Sequence, residues 1–247
     1  MKPFLLLATR AEDAVADSEY RQFLRFGSLE PEQLVRVRLE SAPLGDLLPG
    51  LDLTRYSGVI VGGSPFTSSD PAAEKSPVQH RVERELAALL DDILKLDIPF
   101  LGACYGIATL GLHQGGVVDT TYPEEASAVE ITLTEDGRRD PLLAGLPETF
   151  LAYVGHKEAL RETPPGATLL ATGAACPVQM FRVGTRQYAT QFHPELDVPG
   201  IVERILAYQH LGYFVPETID VLIEAVSAAE VVHPARLVAN FVELFAE

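Results

Sequence analysis

Short apolar runs alternate, along the first half of the chain, with stretches whose apolar residues recur at helical spacing. A continuous apolar run bounded by turn residues is typical of a buried strand, and alternating apolar and charged residues are typical of a more exposed one. The strands predicted in this way are Phe4–Ala8, Leu34–Leu39, Gly58–Val61 and Ile98–Leu101. Between the last two, Val82 to Leu94 place their apolar residues on one helical face. This alternation favours a mostly parallel sheet with helices on both faces.

The second half of the chain, beyond Gly116, is richer in strand patterns and ends in helical ones. We expect antiparallel strands added at a sheet edge: Ala128–Leu133, Phe150–Val154, Thr168–Thr172, Val178–Val183 and Gln187–Phe192. The helices predicted after them are Ile201–Leu211, Ile219–Ala229 and Ala235–Phe245. The sequence shows no internal repeat and no long linker, and its 247 residues suit a single α/β domain.

The acidic balance of the chain argues against several kinds of partner. A formal net charge of −16 at pH 7 should repel nucleic acid and anionic membrane surfaces. The apolar run at the N-terminus is too short for a signal peptide, and no stretch approaches the ~20 apolar residues of a transmembrane helix. We therefore expect a cytoplasmic location and no membrane partner. The two cysteines lie far apart in the sequence, and a reducing compartment suits a free thiol.

One of these cysteines stands in the segment "PFLGACYGIATLG", as Gly102-x-Cys104-x-Gly106. A strand that turns sharply into a helix at Cys104 would lift its sulfur clear of the sheet, and small residues on either side permit the turn. A helix from Cys104 to Leu112 would direct its positive end at the sulfur and favour the thiolate. The N–H of Tyr105 would then face a developing oxyanion. A buried structural cysteine between packing glycines fits this short motif equally well.

A thiolate nucleophile needs a base, a group that orients the base and oxyanion donors. The segment "YATQFHPELD" offers His193 as the base and Glu195, across one proline, as the group that orients it. The segment "VIVGGSP" ends a strand at Gly62 and Gly63, whose backbone N–H groups could approach a substrate closely. Read singly, the first segment also fits a surface ion pair, and the second an ordinary turn. No cluster with metal-ligand spacing accompanies them, so we expect neither a metal nor a cofactor.

Taken together and in this order, "VIVGGSP", "PFLGACYGIATLGLHQGG" and "YATQFHPE" resemble the class I, triad-type glutamine amidotransferases. The closest likeness is to stand-alone members similar to the glutaminase domain of GMP synthases. The resemblance implies a flavodoxin-like, doubly wound α/β domain with an open mixed sheet. It covers about residues 1–212, which we expect to form the core, and leaves about residues 213–247 as a C-terminal helical extension.

The resemblance also implies roles for the matching residues. Cys104 would attack the side-chain amide of L-glutamine, His193 would carry the proton to the leaving ammonia, and Glu195 would orient His193. Backbone N–H groups of Gly63 and Tyr105 would hold the oxyanion of the intermediate. The family passes the ammonia to an acceptor in a synthetase, so a separate synthetase is the expected partner. A homodimer is also compatible with the sequence.

Two positions bear on the substrate. Most family members carry Gln four residues after the nucleophile, where this chain has Ala108. Loss of that hydrogen bond relaxes recognition of glutamine, so a free-standing γ-glutamyl hydrolase with the same triad is an alternative. His156, in the segment "YVGHKEAL", sits where the family contacts the backbone of glutamine, although a polar turn explains it as well. A third hypothesis, a scaffold without catalysis, leaves the complete triad unexplained.

Overall fold

The computed structural model describes residues 1–209 and 218–247. Within them the strands are β1 (Phe4–Ala8), β2 (Leu34–Arg38), β3 (Gly58–Val61), β4 (Phe100–Ala103), β5 (Val118–Asp119), β6 (Glu124–Leu133), β7 (Thr149–His156), β8 (Ala159–Leu160), β9 (Thr168–Gly173), β10 (Met180–Val183) and β11 (Gln187–Thr190). The helices are α1 (Asp13–Gly27), α2 (Leu44–Leu47), α3 (Pro77–Lys95), α4 (Tyr105–His113), α5 (Glu135–Arg139), α6 (Val198–Tyr208), α7 (Ile219–Ala228) and α8 (Ala235–Phe245).

The described strands build one large mixed sheet in the order β2-β1-β3-β4-β11-β10-β9-β6-β7. The pairs from β2 to β11 are parallel, and every pair from β11 onwards is antiparallel. The order of the parallel strands is that of flavodoxin-like sheets. The flavodoxin-like, doubly wound fold is therefore confirmed. The antiparallel strands lie at one edge as expected, except that β11, which was predicted among them, lies inside the sheet and runs parallel to β4. A small ribbon of β5 and β8 was not predicted.

Alternate residues of the central strands enter two separate cores. Phe4 and Leu6 of β1 pack on one side of the sheet with side chains from α1 and α8. Leu5 and Leu7 pack on the other side with side chains from α3 and α4. Both faces of the parallel sheet are thus covered by helices, as predicted, because successive side chains of a strand point to opposite faces.

Helix α1 was missed by the sequence analysis. Its buried face contains Val15, Ala16 and Phe23, but also Glu19 and Gln22. These two polar side chains interrupt the apolar stripe by which an amphipathic helix is identified. Their burial has a reason in the active site, described below.

The strand predicted at Ile98–Leu101 begins two residues later, as β4. Ile98 closes the end of α3 instead, because its N–H donates to Ile93 O at 2.9 Å. Asp97 before it has a positive φ of 52°, as is common where a helix ends. An apolar run alone cannot separate the end of a helix from the start of the next strand.

The C-terminal helices pack on the rest of the chain. Helix α6 packs with α7 in a third apolar cluster that includes Ile201, Ile205 and Val226. Helix α8 gives Leu237, Val238 and Phe241 to the core beneath the sheet. The boundary predicted near residue 212, and the end predicted for the helix at Ile201–Leu211, lie outside the described residues. No helix in the described ranges has the length and apolar character needed to span a membrane.

Candidate active site

The residues predicted for the triad and for the oxyanion donors follow the carboxyl ends of adjacent parallel strands, whereas His156 ends the antiparallel edge strand β7. Gly62 and Gly63 follow β3, Cys104 follows β4, and His193 comes shortly after β11. Strand β4 pairs with β3 on one side and with β11 on the other. Ligands of open α/β sheets bind at this edge. The fold therefore brings together segments that are far apart in the sequence.

Cys104 occupies a sharp turn between β4 and α4. Its backbone has φ 53° and ψ −91°, a conformation that L-residues rarely adopt, and its N–H donates to Thr190 O at 2.8 Å. A Cβ atom at Gly102 would lie 2.7 Å from the backbone carbon and oxygen of Gly106. The turn is therefore possible only with glycine at position 102. Tyr105 is the first residue of α4, so its N–H has no acceptor within the helix.

The side chains of His193 and Glu195 are in direct contact. Nδ1 of His193 lies 2.8 Å from Oε1 of Glu195, and both side chains are buried. The N–H of His193 donates to Tyr153 O at 2.9 Å, which fixes the backbone between β11 and α6 against β7. The carboxylate accepts the Nδ1 proton in this geometry, which leaves Nε2 as the basic nitrogen.

Burial controls the protonation of the thiol and the imidazole. Burial raises the pKa of Cys104 to about 12, against the opposing effect of the Arg10 and Arg204 charges. Burial also lowers the pKa of His193, although Glu195 opposes this shift. Both shifts favour the neutral form of each group. Removal of the sulfur from water therefore opposes the thiolate that the helix end was expected to favour.

Two arginines and a glutamate that the sequence analysis missed lie around His193 and Glu195. Nη2 of Arg204 lies 2.9 Å from Oε1 of Glu195 and 3.3 Å from Oε1 of Glu19. Nε of Arg10 lies 3.0 Å from the same oxygen of Glu19. All of these side chains are buried. Burial alone would raise the pKa of Glu195, but the interactions of the carboxylate with His193 and Arg204 hold it well below its usual value. The sequence feature that could have indicated this network is Glu19, an acidic residue on the buried face of α1.

The glycines after β3 are required by the space around them. A Cβ at Gly62 would lie 2.6 Å from Oε2 of Glu19, and one at Gly63 would lie 2.4 Å from Nη2 of Arg10. The N–H of Gly62 donates to Leu7 O at 3.3 Å. Among the described residues the N–H of Gly63 has no hydrogen-bond acceptor, so of the two it is the one that could serve the predicted oxyanion role.

Two clefts meet at Cys104. The first, which we call the Arg10 cleft, has a volume of about 50 Å³ and is lined by Arg10, His193, Arg204 and Tyr208 together with several apolar side chains. The second, the Ala108 cleft, has a volume of about 30 Å³ and a more polar lining, with Thr67, Lys157 and Gln191 on its walls. Ser64, Cys104 and Gly155 line both clefts. The position that carries Gln in most family members thus lies in the second cleft, where the Oε1 of Gln191 is buried without a partner in the described structure.

His156 lines the Ala108 cleft, but both of its ring nitrogens have partners in the protein. Nδ1 lies 2.9 Å from Glu158 O, and Nε2 lies 2.9 Å from Oε2 of Glu124. The Glu158 carboxylate in turn accepts the N–H groups of Ser68 and Ser69 at 2.7 and 2.6 Å. The contact of His156 with a substrate stays a prediction, and it would require the ring to leave one of these partners.

Glu124 and His156 also approach the second cysteine. Their donor atoms and Sγ of Cys176 all lie within 4.8 Å of one another, which is close enough for a metal ion. The Glu124 oxygen, however, already accepts hydrogen bonds from His156 and from Gln179, the latter at 2.7 Å. The cluster satisfies its own polar groups, so we assign no metal to it. Cys176 is fully buried, and burial raises its thiol pKa to about 12.

Comparison with known proteins assigns this chain to a family. A family model described as glutamine amidotransferase class-I matches residues 34–200. The glutamine-hydrolysing GMP synthase of Limosilactobacillus reuteri is 32% identical over 140 residues, which are 56% of this chain and 24% of that enzyme. The glutamine-hydrolysing GMP synthase subunit of Thermococcus kodakarensis is 32% identical over 111 residues, 44% of this chain and 57% of that protein. The similarity thus spans only about a quarter of the first relative and just over half of the second.

Solved structures share the fold over the whole length of the chain. A glutamine amidotransferase from Thermotoga maritima superimposes with a TM-score of 0.76 at 20% identity, over 100% of both chains. A glutamine amidotransferase from Methylobacillus flagellatus gives a TM-score of 0.71 at 19% identity, over 100% of this chain and 96% of the other. At such identities these two structures show the fold alone. Because the family model spans more than half of its residues, this chain belongs to the class-I glutamine amidotransferase family.

Proposed function

We propose that this chain hydrolyses the side-chain amide of L-glutamine through a thioester on Cys104 and delivers the ammonia to an acceptor held by a separate synthetase. The observation that carries the proposal is the strained turn that presents Cys104 to the cleft lined by the buried His193, itself paired with Glu195. Relatives named as glutamine-hydrolysing subunits of GMP synthase support both the amide substrate and the separate synthetase.

The protonation of the site favours a concerted start to the reaction. A neutral imidazole accepts the proton of a neutral thiol as the sulfur attacks the amide carbon. Charge on the sulfur and on the imidazole therefore develops only during the attack. The N–H groups of Gly63 and Tyr105 hold the oxyanion in this proposal. His193 then returns the proton to the leaving nitrogen, ammonia departs, and water releases glutamate from the thioester. Glu195 keeps the imidazole in the tautomer whose Nε2 can accept a proton.

The first test is glutamate release from L-glutamine by the purified chain and by its Cys104→Ala variant. Loss of the nucleophile of a triad costs about six orders of magnitude in kcat in comparable hydrolases, so release by the variant should be undetectable. Cys176→Ala is the matched control, since it removes a buried thiol outside the site and should retain the activity. Equal release by the Cys104→Ala variant would disprove the mechanism.

If the purified chain releases no glutamate, a second measurement is needed, because some glutaminase sites are active only with a synthetase partner. The glutamine analogue 6-diazo-5-oxo-L-norleucine alkylates a nucleophile that recognises glutamine. Mass spectrometry should find one adduct on Cys104 and none on Cys176. A chain that neither releases glutamate nor reacts with the analogue would favour the non-catalytic scaffold.

A γ-glutamyl hydrolase is the second candidate function. Ala108 lacks the side chain that could bond to glutamine, and the Arg10 cleft carries apolar side chains beside His193. The same triad would act on either substrate, so the choice between them concerns the leaving group.

A further inference from the structure

The guanidinium of Arg10 is buried in the candidate active site and uses only part of its donor capacity. Arg10 is only 3% exposed, and it donates through Nε to Oε1 of Glu19 at 3.0 Å and through Nη1 to the hydroxyl of Tyr208 at 2.8 Å. In the described part of the chain its Nη2 makes no hydrogen bond. A buried donor without an acceptor is costly, so this nitrogen calls for an acceptor that arrives during function.

The partners of Arg10 hold its guanidinium in a fixed position. Glu19 belongs to α1 and Tyr208 to α6, so the side chain is fastened at two of its nitrogens by two different helices. The hydroxyl of the preceding residue, Thr9, donates to Gly63 O at 3.3 Å and ties this segment to the glycine loop. A donor fixed in advance needs no reorganisation when charge develops beside it.

The remaining nitrogen of Arg10 lies beside Gly63, one of the two residues predicted to donate to the oxyanion. A Cβ built on Gly63 would lie 2.4 Å from Nη2 of Arg10 and 2.8 Å from Cε1 of His193. Because a Cα–Cβ bond is about 1.5 Å long, Nη2 lies within about 4 Å of the Gly63 Cα and within about 5 Å of its backbone nitrogen. A single oxygen at a hydrogen-bond length of about 2.9 Å can therefore accept from both nitrogens.

The positive charge of Arg10 also acts on the nucleophile. Arg10 lines the same cleft as Cys104 and His193. Burial raises the pKa of the Cys104 thiol, and the charge of Arg10 opposes that rise. In a buried site a fixed positive charge stabilises a nearby negative one far more than it would in water. Arg10 therefore favours the negative charge that must appear as a neutral thiol attacks.

We propose that Arg10 is a further catalytic residue, whose Nη2 donates a third hydrogen bond to the oxyanion formed when Cys104 attacks a carbonyl carbon. The inference rests on the proposed acylation of Cys104. As the bond from sulfur to carbon forms, the second electron pair of the carbonyl bond moves onto oxygen and the thiol proton passes to His193. Collapse restores the carbonyl and breaks the bond to the leaving group. A guanidinium binds this oxygen most strongly while it is charged, so Arg10 acts on the transition state.

The test compares two reactions of Cys104, of which only one forms an oxyanion. Acylation by p-nitrophenyl acetate passes through a tetrahedral oxyanion, expels nitrophenolate and leaves an acetyl thioester on the sulfur. Alkylation by iodoacetamide replaces iodide at a saturated carbon and forms no oxyanion. Neither reagent requires recognition of glutamine. All variants carry Cys176→Ala, so that Cys104 is the single thiol of the chain.

Arg10→Met should slow acylation about 100-fold, as the loss of one oxyanion donor does in other hydrolases, and slow alkylation less than about tenfold. The ratio of the two rate constants is read within each variant, so a change in the thiol that affects both reactions cancels. Arg204→Met is the matched control. Arg204 is also buried and also contacts Glu19, but it acts on His193 and Glu195, so its loss should change both rate constants in parallel.

A second variant guards against loss of the fold. Arg10→Met leaves the buried Glu19 with one counter-charge fewer, and Glu19→Gln added to it removes the charge of that carboxylate as well. The ratio of acylation to alkylation should fall to the same extent in the single and the double variant. Circular dichroism checks that both are folded.

The outcomes separate this inference from the proposed function. An unchanged ratio in the folded Arg10→Met chain, or in the double variant, would overturn the catalytic role of Arg10 and leave glutamine hydrolysis intact. A ratio that depends on Arg10, in a chain that neither releases glutamate nor reacts with the glutamine analogue, would support Arg10 and overturn glutamine as the substrate. Resistance of Cys104 to both reagents would overturn the nucleophile on which both proposals rest.

Discussion

At the scale of single residues, Arg204 contacts His193, the proposed catalytic base. Its Nη1 lies 2.8 Å from Nδ1 of His193, the same nitrogen that lies 2.8 Å from Oε1 of Glu195. A guanidinium only donates hydrogen bonds, so it competes with the carboxylate for the tautomer of the ring. The base needed for catalysis carries its proton on Nδ1 and directs it to Glu195. Arg204 favours this state when it donates through Nη2 to that carboxylate.

The charge of Arg204 also lowers the pKa of His193, which yields a pH prediction. Burial is the largest cause of that lowered pKa, and Arg204 adds to it, so the ring remains a base below its ordinary titration range. Arg204→Met removes the charge and raises the pKa of His193, so the base is protonated at a higher pH. The acid limb of kcat/KM for glutamate release should therefore move to higher pH in this variant.

The variant Arg204→Lys is the control for this shift. It keeps the positive charge but loses the planar fork that contacts both His193 and Glu195. Its acid limb should stay close to that of the unmodified chain, with kcat reduced. Arg204→Met also leaves the buried Glu19 and Glu195 with one counter-charge fewer, so its folding is checked by circular dichroism. An unchanged acid limb in a folded Arg204→Met variant would show that the charge of Arg204 does not alter the pKa of His193.

At the scale of elements, the turn between β4 and α4 stores backbone strain. The φ of 53° and ψ of −91° at Cys104 belong to a sparsely populated region, which costs roughly 1–3 kcal/mol for a residue with a Cβ. Glycine relieves the strain, and its greater freedom in the unfolded chain costs about 0.5–1 kcal/mol. Cys104→Gly should therefore be about 1 kcal/mol more stable to urea than Cys104→Ala.

The comparison of glycine with alanine isolates the strain because both variants lack the sulfur. The free energy of unfolding is read from the urea midpoint at constant m value. A midpoint for Cys104→Gly at or below that of Cys104→Ala would mean that the turn is not strained. Strain at a nucleophile persists only where function requires the conformation, so the result also tests why a cysteine stands there.

The same elements show how far local sequence carries a prediction. The strand, glycine, cysteine and helix around Cys104 were predictable because the apolar run, the two glycines and the helical pattern are all neighbours in the sequence. Helix α1 was not, because Glu19 faces inward to meet Arg10 and Arg204, and such a face does not follow an apolar period. Glu19 and Arg204 are 185 positions apart, and no short segment of sequence shows that they meet.

At the scale of the whole molecule, the C-terminal helix is part of the core that supports the site. Phe241 of α8 is fully buried, and its ring lies 5.7 Å from that of Phe4 in the first strand. Helix α8 also packs on α1, which carries Glu19. The sequence predicted α8 with its observed bounds, yet it could not show which surface the helix covers, because packing partners depend on the complete fold.

This arrangement predicts that α8 unfolds together with the sheet. Phe241→Ala removes a large buried side chain and should cost about 3–5 kcal/mol, which lowers the midpoint of thermal unfolding by about 10 °C for a chain of this size. Leu244→Ala, three residues away on the exposed side of the same helix, is the matched control and should change stability by less than ~0.5 kcal/mol. The helix positions α1, and α1 positions Glu19 beneath Gly62, so Phe241→Ala should lose glutamate release and folded structure at the same temperature. If the glutamate release of Phe241→Ala survived to the temperature of the unmodified chain, α8 would be an independent appendage.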